Sequence, residues 1–307
     1  MNAQVLMLSG TRQLGWESRP LASPGPGQVL VESLLSALSV ASELSLIEGR
    51  VELPLPRKLG YQTLGRVVQA GEGVSLPIGT RVMTTSGHAS AAVLDAQRCV
   101  AVPPHVPDRV ALAAVLGEET HKGIRKVAPL PHERVLVAGA GLLGLLTVFN
   151  LTRRGIQQVS VTEPDPARRE LAQAFGASVL AGGVQAGDTQ AGDTQDGTFD
   201  VGFECSASPE GFSDLLDRMR PEGRVCVLSD GNWGLLVLPP SFHVRELSVV
   251  ASSDGEDYHA YADWLWTQPE PLLERLFQVT IRPADLIARY TRLRQLPRPV
   301  SVVVDWR

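Results

Sequence analysis

The chain has 307 residues, which is long enough for two domains or for one domain with a large insertion. Hydrophobic residues make up 44% and the formal net charge is −5, so the composition argues against global disorder and against a basic nucleic-acid-binding surface. The sequence contains no basic amphipathic run of the kind that binds membranes, and its first ten residues lack a signal-peptide pattern. We therefore expect a soluble, cytoplasmic protein.

The chain up to about residue 118 is predicted to be rich in β-structure. Short β-branched runs predict strands at residues 29–34, 65–69 and 80–83. Gly- and Pro-rich segments, such as PGPGQ and AGEGVSLPIGT, separate these runs and are typical of turns.

From Arg134 onward, strands alternate with helices. Such alternation predicts a parallel sheet covered by helices on both faces. The predicted strands are 135–138, 159–162, 199–203, 225–228 and 247–250, and the predicted helices are 142–154, 166–176 and 210–219, the last followed by a Pro221-Glu222-Gly223 turn. A charged helix over 283–294 and a strand over 300–305, expected to return to the first domain, end the chain.

Two stretches have an unusual composition. Residues 135–152 carry no charge, but three glycines interrupt them, so a buried strand, turn and helix explain them better than a membrane span. The pentapeptide AGDTQ occurs twice in tandem at 186–195 and is interpreted as a surface loop.

The cysteines Cys99, Cys205 and Cys226 lie far apart and show no C-x-x-C spacing. We therefore expect buried free thiols, neither a disulfide framework nor a Cys-rich structural zinc lobe.

The segment VLVAGAGLLG places G-x-G-x-x-G at Gly139, Gly141 and Gly144, between a predicted strand and a predicted helix. In dinucleotide-binding folds the first glycine permits a tight turn, the second admits the pyrophosphate, and the third allows close packing of helix on strand. The segment thus predicts a dinucleotide site formed by the backbone of these glycines together with Ala140, Leu142 and Leu143.

Glu163 ends the next predicted strand, 24 residues after Gly139 (163 − 139). A carboxylate near this spacing binds the ribose hydroxyls and repels a 2′-phosphate, so the sequence favours NAD over NADP. NADP stays an alternative because Arg168 and Arg169 follow closely, and a solvated surface glutamate is the simplest other interpretation of Glu163.

Several segments together resemble the medium-chain dehydrogenase/reductase family. They are GYQTLGRVVQAGEGV (60–74), GTRV (79–82), FDVGFECSASPEGF with MRPEGRVCVL (199–228), and FHVRELSVVAS (242–252). The resemblance implies an α/β fold with a GroES-like β-rich domain (1–118), a Rossmann doubly wound parallel sheet (119–277) and a return segment (278–307), with the active site in a cleft between the domains. It also implies cofactor contacts at Arg168, Cys205, Ser206 and Ser229.

The metal-ligand positions of that family are altered in this chain. Where zinc members carry a Cys, this sequence has Val40, and their Gly-His-Glu is Gly60-Tyr61-Gln62. The third ligand region, AVLGEETHKG, contains no Cys. Because catalytic zinc needs three protein ligands, we expect none here. The pattern is most similar to zinc-free members of the bacteriochlorophyllide dehydrogenase type, through Ser42-Glu43, Leu59-Gly60-Tyr61 and Glu119-Thr120.

Without zinc, side chains must stabilise the charge that hydride transfer creates and must move the proton. The candidates are Tyr61 and Ser42 as donors to the oxyanion, with His88 or Glu119 as proton shuttle. Each has a structural alternative: a satisfied core tyrosine, a surface histidine in SGHAS, or a glutamate that complements a helix dipole. A relocated metal held by His88, Glu118, Glu119 and His121 is a further alternative.

The sequence therefore predicts an NAD(P)-dependent oxidoreductase acting on a small carbonyl, alcohol or enone. A non-catalytic dinucleotide-binding protein and a zinc enzyme with unusual ligands are the competing readings. The loops after residue 46 and at 229–235, with Trp233 as a pocket wall, are expected to shape the substrate site. Because members of the family are often dimers or tetramers, the resemblance implies a homodimer or a homotetramer as the candidate assemblies.

Overall fold

The computed structural model describes residues 1–51, 53–180, 197–229, 235–268 and 271–307. The chain forms two compact units, one of residues 1–115 with 257–307 and one of residues 116–256. The AGDTQ repeat and Trp233 lie outside the described residues. Among the described residues, no helix has the length and apolar character needed to cross a membrane.

The N-terminal part of the first unit consists mainly of short strands. Its elements are β1 Asn2–Gly10, β2 Gln13–Pro20, β3 Gln28–Ala37, α1 Val40–Ile47, β4 Arg57–Lys58, β5 Gln62–Ala70, β6 Arg81–Thr84, β7 Ala91–Asp95, a 3₁₀ turn Ala96–Arg98, β8 Val100–Val102 and α2 Asp108–Leu112. The three strands predicted in this region overlap β3, β5 and β6.

The second unit alternates strands with helices, as predicted. Its elements are α3 Ala114–Val127, β9 Arg134–Ala138, α4 Leu142–Arg153, β10 Gln158–Thr162, α5 Pro166–Ala174, β11 Ser178–Leu180, β12 Phe199–Glu204, α6 Pro209–Asp217, β13 Met219–Val227, α7 Pro240–Val244 and β14 Ser248–Ala251. Helices α5 and α6 begin where they do because Asp165 and Ser208 cap their N-termini and a proline follows each cap.

The chain then returns to the first unit. The returning elements are α8 Tyr258–Leu265, a 3₁₀ helix Pro271–Leu276, β15 Val279–Ile281, a 3₁₀ turn Pro283–Asp285, α9 Leu286–Arg292 and β16 Val302–Asp305. The return begins at Asp257, earlier than the predicted residue 278, because α8 contacts β8 and the first 3₁₀ helix contacts α2.

The larger sheet of the first unit has the order β15-β16-β3-β5-β6-β8, with β7 also paired to β3. Strand β16 runs antiparallel to β3, with Val303 opposite Ala37, which confirms the predicted closing strand. One apolar core contains Leu6 and Leu38 from the N-terminal part together with Tyr290 from the return segment. Both ends of the chain therefore stabilise the same core.

The sheet of the second unit has the order β11-β10-β9-β12-β13-β14, and its strand pairs are all parallel. Numbered from β9, this is the 3-2-1-4-5-6 order of dinucleotide-binding sheets. The order reverses between β9 and β12, and ligands bind such folds beyond the carboxyl ends of the strands at this reversal. The predicted α/β architecture is confirmed, and the uncharged stretch 135–152 is the buried β9, turn and α4.

The prediction around residues 219–223 was wrong. A helix to Met219 and a Pro-Glu-Gly turn were expected, but α6 ends at Asp217 and β13 already begins at Met219. The pairing with β12 jumps from Phe199 opposite Met219 to Val201 opposite Arg224. The turn residues thus form an irregularity within the strand, with Glu222 at φ 62°.

Candidate functional site

The turn between β9 and α4 has the geometry that its three glycines predict. Gly139 has φ +93°, and a Cβ there would lie 2.7 Å from Cα of Ser206. A Cβ on Gly144 would lie 1.9 Å from the carbonyl oxygen of Gly139, so helix and turn pack too tightly for any side chain. At Gly141, by contrast, a Cβ would meet nothing within 4 Å. Only the middle glycine borders open space, as a phosphate-binding turn requires.

Helix α4 begins directly after Gly141, which is its N-cap. The first N–H groups of an α-helix lack partners within the helix and carry partial positive charge. The backbone of Leu142, Leu143 and Gly144 is therefore suited to an anion such as a pyrophosphate.

Glu163 lies at the carboxyl end of β10 and is hydrogen-bonded to this glycine turn. Its Oε2 accepts a hydrogen bond from the N–H of Ala140 at 2.7 Å, and its Oε1 accepts one from the N–H of Asp165 at 3.0 Å. The side chain is buried, so a solvated surface glutamate is the wrong interpretation. Glu163 therefore lies beside the candidate dinucleotide site, where the sequence predicted it.

The two arginines after Glu163 lie on α5. Arg169 donates from Nη1 to the carbonyl oxygens of Glu163 and Pro164, at 3.1 and 2.8 Å. It therefore holds the turn that carries Glu163. Arg168 is half-buried, and its backbone N–H donates a hydrogen bond to the side chain of Asp165, the N-cap of α5.

Glu204, which the sequence reasoning missed, ends β12 beside the glycine turn and is completely buried. Its Oε1 accepts hydrogen bonds from the N–H of Ser206 and of Ala207, at 2.8 and 3.0 Å, and from the hydroxyl of Ser206 at 2.6 Å. Its Oε2 accepts one from the hydroxyl of Ser229. Burial raises the pKa of Glu204, against the lowering effect of these donors.

The carboxylate of Glu204 thus joins two predicted cofactor residues, Ser206 and Ser229, at the ends of adjacent strands. A Glu at the end of an apolar strand, followed by the polar Ser206 and Ser208, is the sequence signal that would have pointed to it.

Cys205 lies between these groups but is a buried thiol. Its Sγ is 3.7 Å from the hydroxyl of Thr147, and burial raises its pKa well above the usual value. Cys99 and Cys226 are also buried free thiols, and burial raises the pKa of each to about 11. The predicted state of the cysteines is confirmed.

In the first unit, His88 belongs to a buried polar cluster. Its Nε2 lies 3.0 Å from Oε2 of Glu43, and its Nδ1 lies 2.8 Å from Oγ of Ser36. The hydroxyl of Tyr290 also donates to Oε2 of Glu43. Ser36 and Glu43 are 0% exposed and His88 and Tyr290 are 1% exposed. The surface interpretation of His88 was therefore wrong, and both ring nitrogens already have partners.

The other catalytic candidates lie in different places. Ser42 is buried in the first turn of α1 and accepts a hydrogen bond from the hydroxyl of Ser39 at 3.1 Å. Tyr61 is half-buried and follows Gly60, whose φ is +79° and whose Cβ, if present, would lie 2.7 Å from the His88 ring. Glu119 is half-buried on α3, in the second unit.

The residues at the family's metal positions offer a poor donor set. Val40 is aliphatic, Tyr61 and Gln62 stand where the resemblance would place a His and a Glu, and the nearby His88 is hydrogen-bonded to Glu43 and Ser36. Within the part of the chain that the structure describes, no group of three or more His, Cys, Asp or Glu side chains could hold a metal ion.

Solved structures share this architecture over nearly the whole chain. A zinc-binding dehydrogenase from Sinorhizobium meliloti 1021 bound to NADP superposes with a TM-score of 0.84 at 19% identity, covering 99% of both chains. Acetophenone reductase from Geotrichum candidum in complex with NAD gives a TM-score of 0.84 at 19% identity, covering 99% of this chain and 97% of that one. The fold is that of the medium-chain dehydrogenases.

Sequence comparison supports the same group. Residues 143–267 match the sequence model of the zinc-binding dehydrogenase family. L-Threonine 3-dehydrogenase of Sinorhizobium medicae is 25% identical over 253 residues, which cover 69% of this chain and 72% of the relative. The matched residues lie in the second unit, apart from residues 257–267. Val40, Tyr61 and Gln62 lie outside the matched residues.

Proposed function

We propose that this protein is a nicotinamide-dependent oxidoreductase that transfers hydride to or from a small carbonyl, alcohol or enone without catalytic zinc. One observation carries the proposal most directly. At the reversal point of a 3-2-1-4-5-6 sheet, Gly141 is the one of the three motif glycines at which a Cβ would meet nothing within 4 Å, and it lies next to the N-terminus of α4. The named activities of its relatives, which are dehydrogenases and reductases, support the same reaction class.

The second unit offers the groups that would hold the cofactor. The backbone from Gly139 to Gly144 would bind the pyrophosphate, and Glu163 would accept hydrogen bonds from the adenosine ribose. A bound nicotinamide supplies or accepts the hydride. Ser206 and Ser229, held by Glu204, would line the same edge of the sheet.

We propose NAD as the preferred cofactor. The two carboxylate oxygens of Glu163 accept hydrogen bonds from the backbone N–H groups of Ala140 and Asp165, which hold this side chain beside the glycine turn. A 2′-phosphate next to this carboxylate would be repelled. Nη1 of Arg169 is engaged by the carbonyl oxygens of the same turn, and NADP is the alternative that the charges of Arg168 and Arg169 leave open.

Zinc independence is supported by the donor set of the first unit. Zinc in proteins takes Cys, His and carboxylate ligands. Val40, Tyr61 and Gln62 provide none of these, and His88 cannot turn toward a metal without breaking two buried hydrogen bonds. The residues present do not fit a catalytic zinc ion, so the charge must be handled by side chains.

Tyr61 and Ser42 are proposed as donors to the substrate oxygen, where negative charge develops. Ser42 is oriented by the hydroxyl of Ser39, which donates to it. Glu119 is proposed in preference to His88 as the proton shuttle, because both nitrogens of His88 are engaged and its ring is buried.

Turnover of metal-free protein tests this function. The protein is treated with a chelator, its metal content is measured, and oxidation of NADH and NADPH is followed with aldehydes, quinones and enones. We expect turnover without zinc and a higher kcat/KM with NADH. Activity that appears only with one zinc ion per chain would refute the zinc-free mechanism.

The substitution Tyr61→Phe tests the proposed donor. Losing one hydrogen-bond donor to the developing negative charge should lower kcat by about 100-fold, with the Kd for NADH unchanged. Tyr261→Phe is the control, because it removes a buried tyrosine hydroxyl from α8 instead. An unchanged kcat in Tyr61→Phe would remove Tyr61 from the mechanism.

A further inference from the structure

Five side chains from distant parts of the chain meet in the core of the first unit, and we call them the Glu43 cluster. They are Ser36 on β3, Glu43 on α1, His88 between β6 and β7, Tyr290 on α9 and Trp306 just after β16. Tyr290 donates to Glu43 across 247 positions of sequence, and Trp306 donates from its indole N–H to Oγ of Ser36 at 3.0 Å. The cluster therefore ties the return segment to α1 and β3.

The connectivity of Ser36, His88 and Glu43 resembles that of a hydrolytic triad, but its burial excludes that use. Ser36 is 0% exposed, and its oxygen already accepts the indole N–H of Trp306. A nucleophile must reach a substrate carbonyl. The cluster is therefore internal and acts through the neighbouring residues that its hydrogen bonds position.

The direction of each hydrogen bond follows from which groups can only donate. An indole N–H cannot accept, so Ser36 accepts from Trp306 and its own hydrogen needs an acceptor. Nδ1 of His88 is the partner that the structure provides for it. The ring proton is then on Nε2 and points at Glu43.

Glu43 completes this arrangement as an acceptor. Its Oε2 receives the hydrogens of His88 and Tyr290, and its Oε1 receives the N–H of Ser39 at 2.8 Å. Burial raises the pKa of Tyr290 well above its usual value, so the phenol keeps the hydrogen that it donates. The first turn of α1 adds the favourable field of a helix N-terminus. Every donor in the cluster thus has an acceptor.

We infer that the Glu43 cluster is a one-way hydrogen-bond chain that ends on the side-chain oxygens of Glu43, with a single Nε2–H tautomer at His88, and that it positions Ser42 for the reaction. The link to Ser42 runs through Ser39. Glu43 fixes the N–H of Ser39, and the hydroxyl of Ser39 donates to Oγ of Ser42. Glu43 and His88 are therefore positioning residues that act through Ser39. The positioning of Ser42 rests on the proposed function.

Nitrogen NMR of the histidine rings tests the chain of hydrogen bonds without cofactor or substrate. The protein contains six histidines, and comparison with His88→Gln identifies the His88 signals. We expect one ring nitrogen of His88 to be protonated and the other unprotonated, with the proton on Nε2. A doubly protonated ring, or a proton on Nδ1, would overturn the proposed chain.

Kinetics of matched variants test the positioning role. Tyr290→Phe removes one donor to Glu43, and His88→Asn removes the other, whereas the longer amide of His88→Gln places an N–H near the Nε2 position. We expect Tyr290→Phe and His88→Asn to lower kcat about tenfold, since small misplacements of reacting groups are costly. His88→Gln should restore most of the turnover. The Kd for NADH should stay constant, because the proposed cofactor residues lie in the second unit.

Tyr261→Phe again controls for loss of a buried hydroxyl, and thermal midpoints of all variants report folding. Equal kcat in Tyr290→Phe and wild type, or equal losses in His88→Gln and His88→Asn, would contradict the positioning role. Absence of NADH oxidation by wild-type protein would contradict the proposed function instead. The NMR result decides the hydrogen-bond chain in every case, including one in which a variant fails to fold.

Discussion

The carboxylate of Glu163 accepts a hydrogen bond from the main-chain N–H of Ala140, with 2.7 Å between the two atoms. The residue expected to select the cofactor is therefore attached to the turn expected to hold the pyrophosphate. Each carboxylate oxygen has a further lone pair, so ribose hydroxyls can bind while the bonds to the backbone persist.

Glu163→Gln should lower NADH affinity about tenfold, because a charge-assisted hydrogen bond becomes a neutral one and the amide places an N–H against a backbone donor. NADPH affinity should fall less, since the charge that repels a 2′-phosphate is gone. Titration with both cofactors measures the ratio. Glu170→Gln, on the exposed side of α5, is the control, and an unchanged ratio in Glu163→Gln would show that Glu163 does not select the cofactor.

Gly144→Ala should destabilise the protein, by about 1–3 kcal/mol or more, because the new methyl would lie 1.9 Å from the carbonyl oxygen of Gly139. Chemical denaturation measures the loss. A Gly144→Ala protein as stable as the wild type would mean that α4 does not pack on the glycine turn as described.

Glu204 should make stability depend on pH. Because burial raises its pKa above the ordinary 4.5, the folded state takes up a proton more readily than the unfolded chain. The stabilising contribution of Glu204 is then complete below pH 4.5 and is lost as the pH rises through the raised value.

Two substitutions separate the charge of Glu204 from its shape. Glu204→Gln should keep the fold and remove this pH dependence, because its amide can donate to the hydroxyl of Ser229 while its oxygen accepts from Ser206 and Ala207. Glu204→Ala leaves those donors unpaired and should cost about 1–3 kcal/mol. Denaturation midpoints between pH 4.5 and neutrality test both, and an identical pH profile in Glu204→Gln and wild type would contradict the assignment.

The three cysteines should be inert in the folded protein. With the pKa of Cys99 and Cys226 raised to about 11, roughly one thiol in a thousand is a thiolate at pH 8, and only the thiolate reacts. An aromatic disulfide reagent should label three thiols per chain in denaturant and almost none in native protein. Rapid native labelling at pH 8 would show that a thiol is exposed.

Sequence reasoning recovered the parts of the fold that depend on local pattern. The glycine turn after β9 and the alternation of strands and helices follow from periodicity and from residue types that few other structures tolerate. The Pro221-Glu222-Gly223 segment misled because its turn residues are also compatible with an irregularity inside β13.

The Glu43 cluster was beyond such reasoning. Glu43 and Tyr290 are 247 positions apart, and long-range contacts such as the pairing of β16 with β3 bring the return segment to α1. The SGHAS segment left a surface position open for His88, yet the absence of a Cβ at Gly60 leaves room for its ring in the core. Local sequence does not report such packing.

Calorimetric titration with NADH measures whether the glycine turn after β9 holds the cofactor, using wild-type protein, Gly141→Ala, and Gly15→Ala as control. A Cβ at either glycine meets nothing within 4 Å, so both variants should fold as the wild type does. We expect saturable NADH binding to the wild type and the control. We expect a loss of affinity of about tenfold or more in Gly141→Ala, whose methyl would stand where the pyrophosphate approaches. Wild-type protein that binds neither NADH nor NADPH, or a Gly141→Ala variant that binds as tightly as the wild type, would contradict this expectation.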